Sequence, residues 1–178
     1  MEWDKKYGLG SIKIHGGTKI YKLETYLGPD RLPVMEKHLV SEKKLQVNSP
    51  GKVFEMLNRY FRLWYRTEEY IYMVALDTKS NILGVFELSH GSVNGSICNN
   101  REIFMKALIC EASGIILAHN HPSGDVTPSE QDISTARNVA KAGKMIGANL
   151  IDYLFHRWLL LLQEKDTEAE SVRSYWNA

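Results

Sequence analysis

His119 and His121 stand one residue apart behind a short apolar run, and a carboxylate, Asp132, follows after ten intervening residues. In an extended chain the side-chain period is two, so both imidazoles project from one face and can share a metal ion. Pro122 restricts His121 to extended backbone and preserves that pairing. A strand–loop–helix turn containing Gly124 can bring Asp132 back over the histidines. Two imidazole nitrogens and one carboxylate oxygen leave a fourth tetrahedral position for water, as in a catalytic rather than a structural zinc site. The same residues have plainer uses: a His-x-His pair also occurs on surfaces or in cores, and Ser129-x-x-Asp132 also reads as a capping box. Thr127-Pro128-Ser129-Glu130 supplies its own helix start, with Thr127 as N-cap, Pro128 at N1 and Glu130 at N3. That start leaves Ser129 and Asp132 on one helical face, directed toward the histidines.

The elements that must position these residues are legible from Val47 onward. Ser49-Pro50 is an N-cap followed by proline at N1, and Val53, Phe54, Leu57, Tyr60 and Phe61 recur at helical spacing to about Leu63. Tyr70–Leu76 and Ile82–Leu88 are rich in β-branched and aromatic residues and predict two strands joined by the turn 77–81. Gly91 and Asn94-Gly95 mark a loop. The apolar spacing of Ile103, Phe104, Ala107, Leu108 and Ala112 predicts a helix from Arg101 to Ser113, closed by Gly114. Ile115–Leu117 is a short strand running into the histidines. A helix continues from Thr127 to about Ile146 with Gly147 past its end, and Leu150–Phe155 and Trp158–Leu162 read as closing strands. Residues 1–35, punctuated by Gly16-Gly17 and Gly28-Pro29-Asp30, read as an irregular extension or a short strand pair. The alternation of hairpin, helices and strands predicts an α/β sandwich around one mixed sheet.

Composition excludes several classes. The 178 residues are 44% hydrophobic and 24% charged, the balance of a globular domain rather than a disordered or fibrous chain. With 22 Lys and Arg against 21 acids, the formal net charge is +1, which offers no broad basic field for nucleic acid. Arg59-Tyr60-Phe61-Arg62-Leu63-Trp64-Tyr65-Arg66 mixes cations and aromatics, as a stacking patch would. The end of an amphipathic helix packed on a sheet has the same composition, and that is the better reading. Cys98 and Cys110 lack the spacing of a metal knuckle or a disulfide framework and read as ordinary thiols. His15, His38, His90 and His156 stand singly in polar surroundings. No segment has the length of a signal peptide's apolar core or a membrane span, so the expected location is cytoplasmic, without membrane association.

His119-Asn120-His121-Pro122-Ser123-Gly124 followed by Pro128-Ser129-Glu130-Gln131-Asp132 resembles the metalloprotease signature of the JAB/MPN (JAMM) superfamily. More narrowly, with Arg101-Glu102-Ile103-Phe104 and Gly91-Ser92-Val93-Asn94-Gly95-Ser96, it resembles the RadC family, over roughly Val40 to Glu164. The resemblance implies a single JAB/MPN-type domain over residues 36–166 with a cytidine-deaminase-like architecture, an extension over 1–35 and a tail over 167–178. It implies Zn2+ held by His119, His121 and Asp132, and hydrolysis of a peptide or isopeptide amide in a protein or peptide substrate. The family's remaining catalytic residue is a glutamate on an earlier strand. Glu87 is its best match, with Glu102 and Glu111 as helix-borne alternatives. On this reading Glu87 carries the water's proton to the leaving amine and Ser129 donates to the oxyanion.

Two departures from the family stand out. Its members commonly precede this domain with a helix-hairpin-helix region, for which this chain has no room, and carry Asp-His where this chain has Asp152-Tyr153. The competing function is that of a non-catalytic or DNA-repair-associated accessory protein of the same superfamily.

Overall fold

The computed structural model describes residues 18–45, 49–91, 99–125 and 127–155. Among these residues six strands form one sheet: β1 (Thr18–Leu27), β2 (Pro33–Leu45), β3 (Glu69–Leu76), β4 (Ile82–Gly91), β5 (Gly114–His119) and β6 (Asn149–Phe155). Their order is β2-β1-β4-β3-β5-β6, with β1–β4 and β5–β6 parallel and the other pairs antiparallel. The sheet is therefore mixed, as the alternation of elements predicts.

Helix α1 (Pro50–Phe61) covers one face and helices α2 (Asn100–Ile109) and α3 (Glu130–Ile146) cover the other. Strand β3 shows why two layers are needed. Tyr72, Val74 and Leu76 pack toward α1, whereas Ile71, Met73 and Ala75 pack toward α2 and α3. A strand apolar on both sides is stable only when both are covered.

Local chemistry sets the helix ends. Ser49 caps α1 by accepting the Lys52 N–H, with Pro50 at the start, as expected. Helix α2 stops four residues earlier than its apolar spacing suggests. Glu111 takes the left-handed conformation (φ 57°), while Ala112 N–H reaches Ala107 O at 2.9 Å and Glu111 N–H reaches Leu108 O at 3.0 Å. These two bonds terminate the helix without glycine. Gly114 instead opens β5.

Helix α3 begins later than the Thr127 reading places it. Ser129 is the N-cap, and its partner in the capping box is Asp132. The Ser129 hydroxyl accepts the Asp132 N–H while the Asp132 carboxylate accepts the Ser129 N–H, so these two residues are not left over after the cap but form it.

Over residues 1–35 the described part is a strand pair. It runs well past residue 35 and joins the sheet by laying β1 along β4. Gly84 permits this approach, since a Cβ there would collide with Leu23. Strand β4 also extends to Gly91, which brings Ser89, His90 and Gly91 into register with Ile71, Tyr70 and Glu69. In the Arg59–Arg66 stretch Phe61 and Leu63 are buried, Tyr60 and Trp64 pack on the core, and Tyr65 alone of the aromatics is open to solvent. The Gly91–Ser96 loop beyond Gly91, Cys98, His15, His156 and the Trp158–Leu162 strand lie outside the described residues. No helix among the described residues is long and apolar enough to cross a membrane.

Candidate metal centre

Strand β5 is buried over its whole length and ends at His119, which is 4% exposed. Burial disfavours the imidazolium, His121 disfavours it further, and Asp132 opposes both. The net effect pushes the His119 pKa down to about 4, so near neutral pH the ring is the neutral base that a metal requires. The His121 ring lies 4.4 Å from it, centroid to centroid, inclined at 66°. His121 Nδ1 bonds the backbone carbonyl of Asp125. A carbonyl can only accept, so Nδ1 carries a proton and Nε2 is the nitrogen left to face a metal. Gly124, at φ 76°, makes the turn that returns Asp125 to His121.

Asp132 meets the histidines from the first turn of α3. Its Oδ2 accepts from Ser129 N–H at 2.8 Å and from the Ser129 hydroxyl at 2.6 Å, which fixes the carboxylate plane. His119 Nδ1 then lies 3.5 Å from Oδ1, and His121 Nε2 lies 3.8 Å from Oδ2. One ligand atom from each of the three residues falls within 4.8 Å of the others. Zinc bonds of about 2.0–2.2 Å place tetrahedral ligands roughly 3.4 Å apart. Each histidine presents a nitrogen 3.5–3.8 Å from an Asp132 oxygen, near that spacing, and two imidazoles with one carboxylate suit a dication.

The expected catalytic residues fall differently. The Ser129 hydroxyl proton is engaged with Asp132. Glu87 lies directly opposite Tyr72, whose ring belongs to the α1-side core, whereas His119 lies opposite Ile71, which packs on the α2/α3 side. Cross-strand partners share a face, so Glu87 emerges on the other side of the sheet from the histidines. Its carboxylate there accepts from the Tyr72 hydroxyl at 3.3 Å and lies 3.2 Å from His90 Nδ1. Glu102 and Glu111 are exposed, Glu102 in the first turn of α2 on the histidine side of the sheet.

The carboxylate that shares both strand neighbour and face with the histidines is Glu69. It stands two residues before Ile71 on β3, and the unbroken alternation of that strand directs it to the His119 side. The pairing of Ile71 with His119 is followed by a bond from Asn120 N–H to Tyr70 O, the residue next to Glu69. Its local sequence signal was only an acidic pair, Glu68-Glu69, heading an apolar strand. Asn120 was likewise missed as anything but part of the motif, although it is 2% exposed. Cys110, whose thiol burial pushes up, donates to Ala107 O and lies outside the cluster.

An α/β domain with a His-His-Asp centre between a strand end and a helix start defines the class. The particular family follows from sequence similarity. Residues 47–157 match the family model described as RadC-like JAB domain, and the chain belongs to that family. A "UPF0758 protein" of Desulfitobacterium hafniense is 33% identical over 155 residues, covering 83% of this chain and 66% of its own length. One from Geotalea uraniireducens is 42% identical over 106 residues, 60% of this chain and 46% of its own. One from Methanosarcina barkeri is 32% identical over 150 residues, 84% of this chain and 61% of its own. The chain spans between about half and two thirds of the length of these relatives. The whole β1–β2 hairpin precedes the residues matched by the family model.

Proposed function

We propose that this chain is a zinc-dependent hydrolase of amide bonds, acting on a protein or peptide in the cytoplasm. The observation that carries the reading is the convergence of His119, His121 and Asp132 ligand atoms within 4.8 Å, the residue types of a catalytic zinc site. Zinc held there would lower the pKa of water toward neutrality and polarise a substrate carbonyl. Burial keeps His119 neutral for its part, and the Asp125 carbonyl and the Ser129 box orient His121 and Asp132. Glu69, on the same face, takes the proton of the attacking water and returns it to the leaving nitrogen. Glu87, the sequence-based candidate for that role, is the second candidate to be tested beside it. The Ser129 hydroxyl can serve a developing oxyanion only by releasing Asp132, so its first task is to hold the carboxylate. The two-sided helical cover of the mixed sheet supports a cytidine-deaminase-like architecture, which we propose with the function.

The competing proposal is an accessory protein without catalysis, including one associated with DNA repair. Retention of all three ligand types weighs against it, as does a net charge of +1. The deciding experiment is metal analysis of the purified full chain, followed by a cleavage screen of peptides and isopeptides with chelated and zinc-restored protein. The hydrolase reading expects one zinc per chain and cleavage that chelation abolishes. Failure to take up zinc after supplementation would overturn it.

A further inference from the structure

The residue between the two histidines is buried for a reason that metal ligation does not supply. Asn120 makes three hydrogen bonds, all to the start of β3. Its Oδ1 accepts from Tyr70 N–H at 2.7 Å, its Nδ2 donates to Glu68 O at 3.0 Å, and its own N–H donates to Tyr70 O at 3.3 Å. In a regular antiparallel ladder the backbone carbonyl of Asn120 would accept the Tyr70 N–H. Here the side chain takes that place. The chain can therefore leave the sheet at residue 120 and turn His121 toward α3 without orphaning a buried amide. The two side-chain bonds go to Glu68 and Tyr70, the residues on either side of Glu69.

We propose that Asn120 is a positioning residue of the metal centre: by gripping β3 on both sides of Glu69, it sets where His121 stands relative to His119 and where Glu69 stands relative to both. The proposal rests on the zinc reading given above. An amide is required because the grip needs one acceptor and one donor at the tip of a short side chain. Asp would set a second acceptor against the Glu68 carbonyl, and Leu has the size but neither bond.

The test is zinc affinity, measured by competition with a chromophoric chelator on the full chain, below every variant's melting temperature. The cobalt(II) d–d spectrum of the substituted protein reports ligand geometry alongside it. Asn120→Leu is expected to weaken zinc binding about 10–100-fold, the usual consequence of losing a group that orients ligands, and to shift the cobalt spectrum. Val53→Ala, which hollows the α1-side core at a residue 1% exposed, controls for stability. It should lower the melting temperature while leaving zinc affinity and the cobalt spectrum unchanged. If Asn120→Leu does not fold, Asn120→Ser is read in the same way. An Asn120 variant that folds and binds zinc with wild-type affinity and spectrum overturns the proposal. Absence of zinc binding by the wild-type chain is a different result, which overturns the zinc reading and this proposal with it.

Discussion

The two sides of the sheet at the β5 carboxyl end carry similar residues in opposite arrangements. On the α1 side Arg66 Nη2 donates to the Tyr72 hydroxyl, that hydroxyl donates to Glu87, and His90 meets the other Glu87 oxygen. Arg66 also lies over the Tyr70 ring at 4.5 Å, and Tyr70 stacks on His90. Hydrogen bonds, a cation–π contact and a ring stack join these five side chains in one network. On the α3 side two imidazoles and a carboxylate converge, and the 3.8 Å between His121 Nε2 and Asp132 Oδ2 is beyond hydrogen-bond range. A histidine and a glutamate close together do not identify a reactive site by themselves. What separates the sides is that on the α3 side one ligand atom from each of three residues gathers around a point that a cation could occupy.

The sharpest test of that difference sets Glu69→Gln against Glu87→Gln. With a substrate in hand from the cleavage screen, Glu69→Gln should lose about 10²–10⁴-fold in rate while retaining its zinc. Glu87→Gln should change the rate by less than about tenfold. The opposite order of effects would return the proton-carrying role to Glu87 and break the argument from sheet faces.

A smaller effect is expected at Ser129, which belongs to both the helix cap and the metal side. Ser129→Ala should cost about 1 kcal/mol of stability through the lost cap, and about tenfold in zinc affinity through a less constrained Asp132. Calorimetry and chelator competition read the two separately. A stability loss with unchanged affinity would make Ser129 a cap only.

A further effect is a pH dependence of the chelator-treated protein. The folded-state pKa of His119 is depressed to about 4, against about 6.5 for an unperturbed histidine, so the unfolded chain binds more protons between those values. The stability held by neutral His119 is fully present above pH 6.5 and is lost as pH falls toward 4, at a slope of up to about 1.4 kcal/mol per pH unit. His119→Gln should flatten that part of the urea-denaturation profile. An unchanged profile would mean that other groups set the acid limb.

The contrast also explains what could be seen without coordinates. The three candidate ligands were legible because strand periodicity and a proline confine His119 and His121, and because Asp132 lies one turn into a helix whose start is marked by local signals. The helix ends were less legible. Thr127 and Ser129 are both good caps, and only the closed box with Asp132 selects Ser129. Glu111 ends α2 in a left-handed conformation usually taken by glycine, whereas the nearest glycine, Gly114, opens β5. The acid–base candidate was the least legible, because it depends on which strand lies beside β5 and in what register. Glu87 is nearer in sequence, yet β3, which begins with Glu69, is the strand paired with His119. Long-range pairing of this kind leaves no mark in a local window.

Zinc titration of the full chain and of His121→Ala bears most directly on the account. One zinc per wild-type chain, with stoichiometric binding lost when His121 is removed and the cooperative melt of the chelated protein retained, is the predicted result. No zinc uptake by the wild-type chain, or an unchanged affinity in His121→Ala, would contradict it.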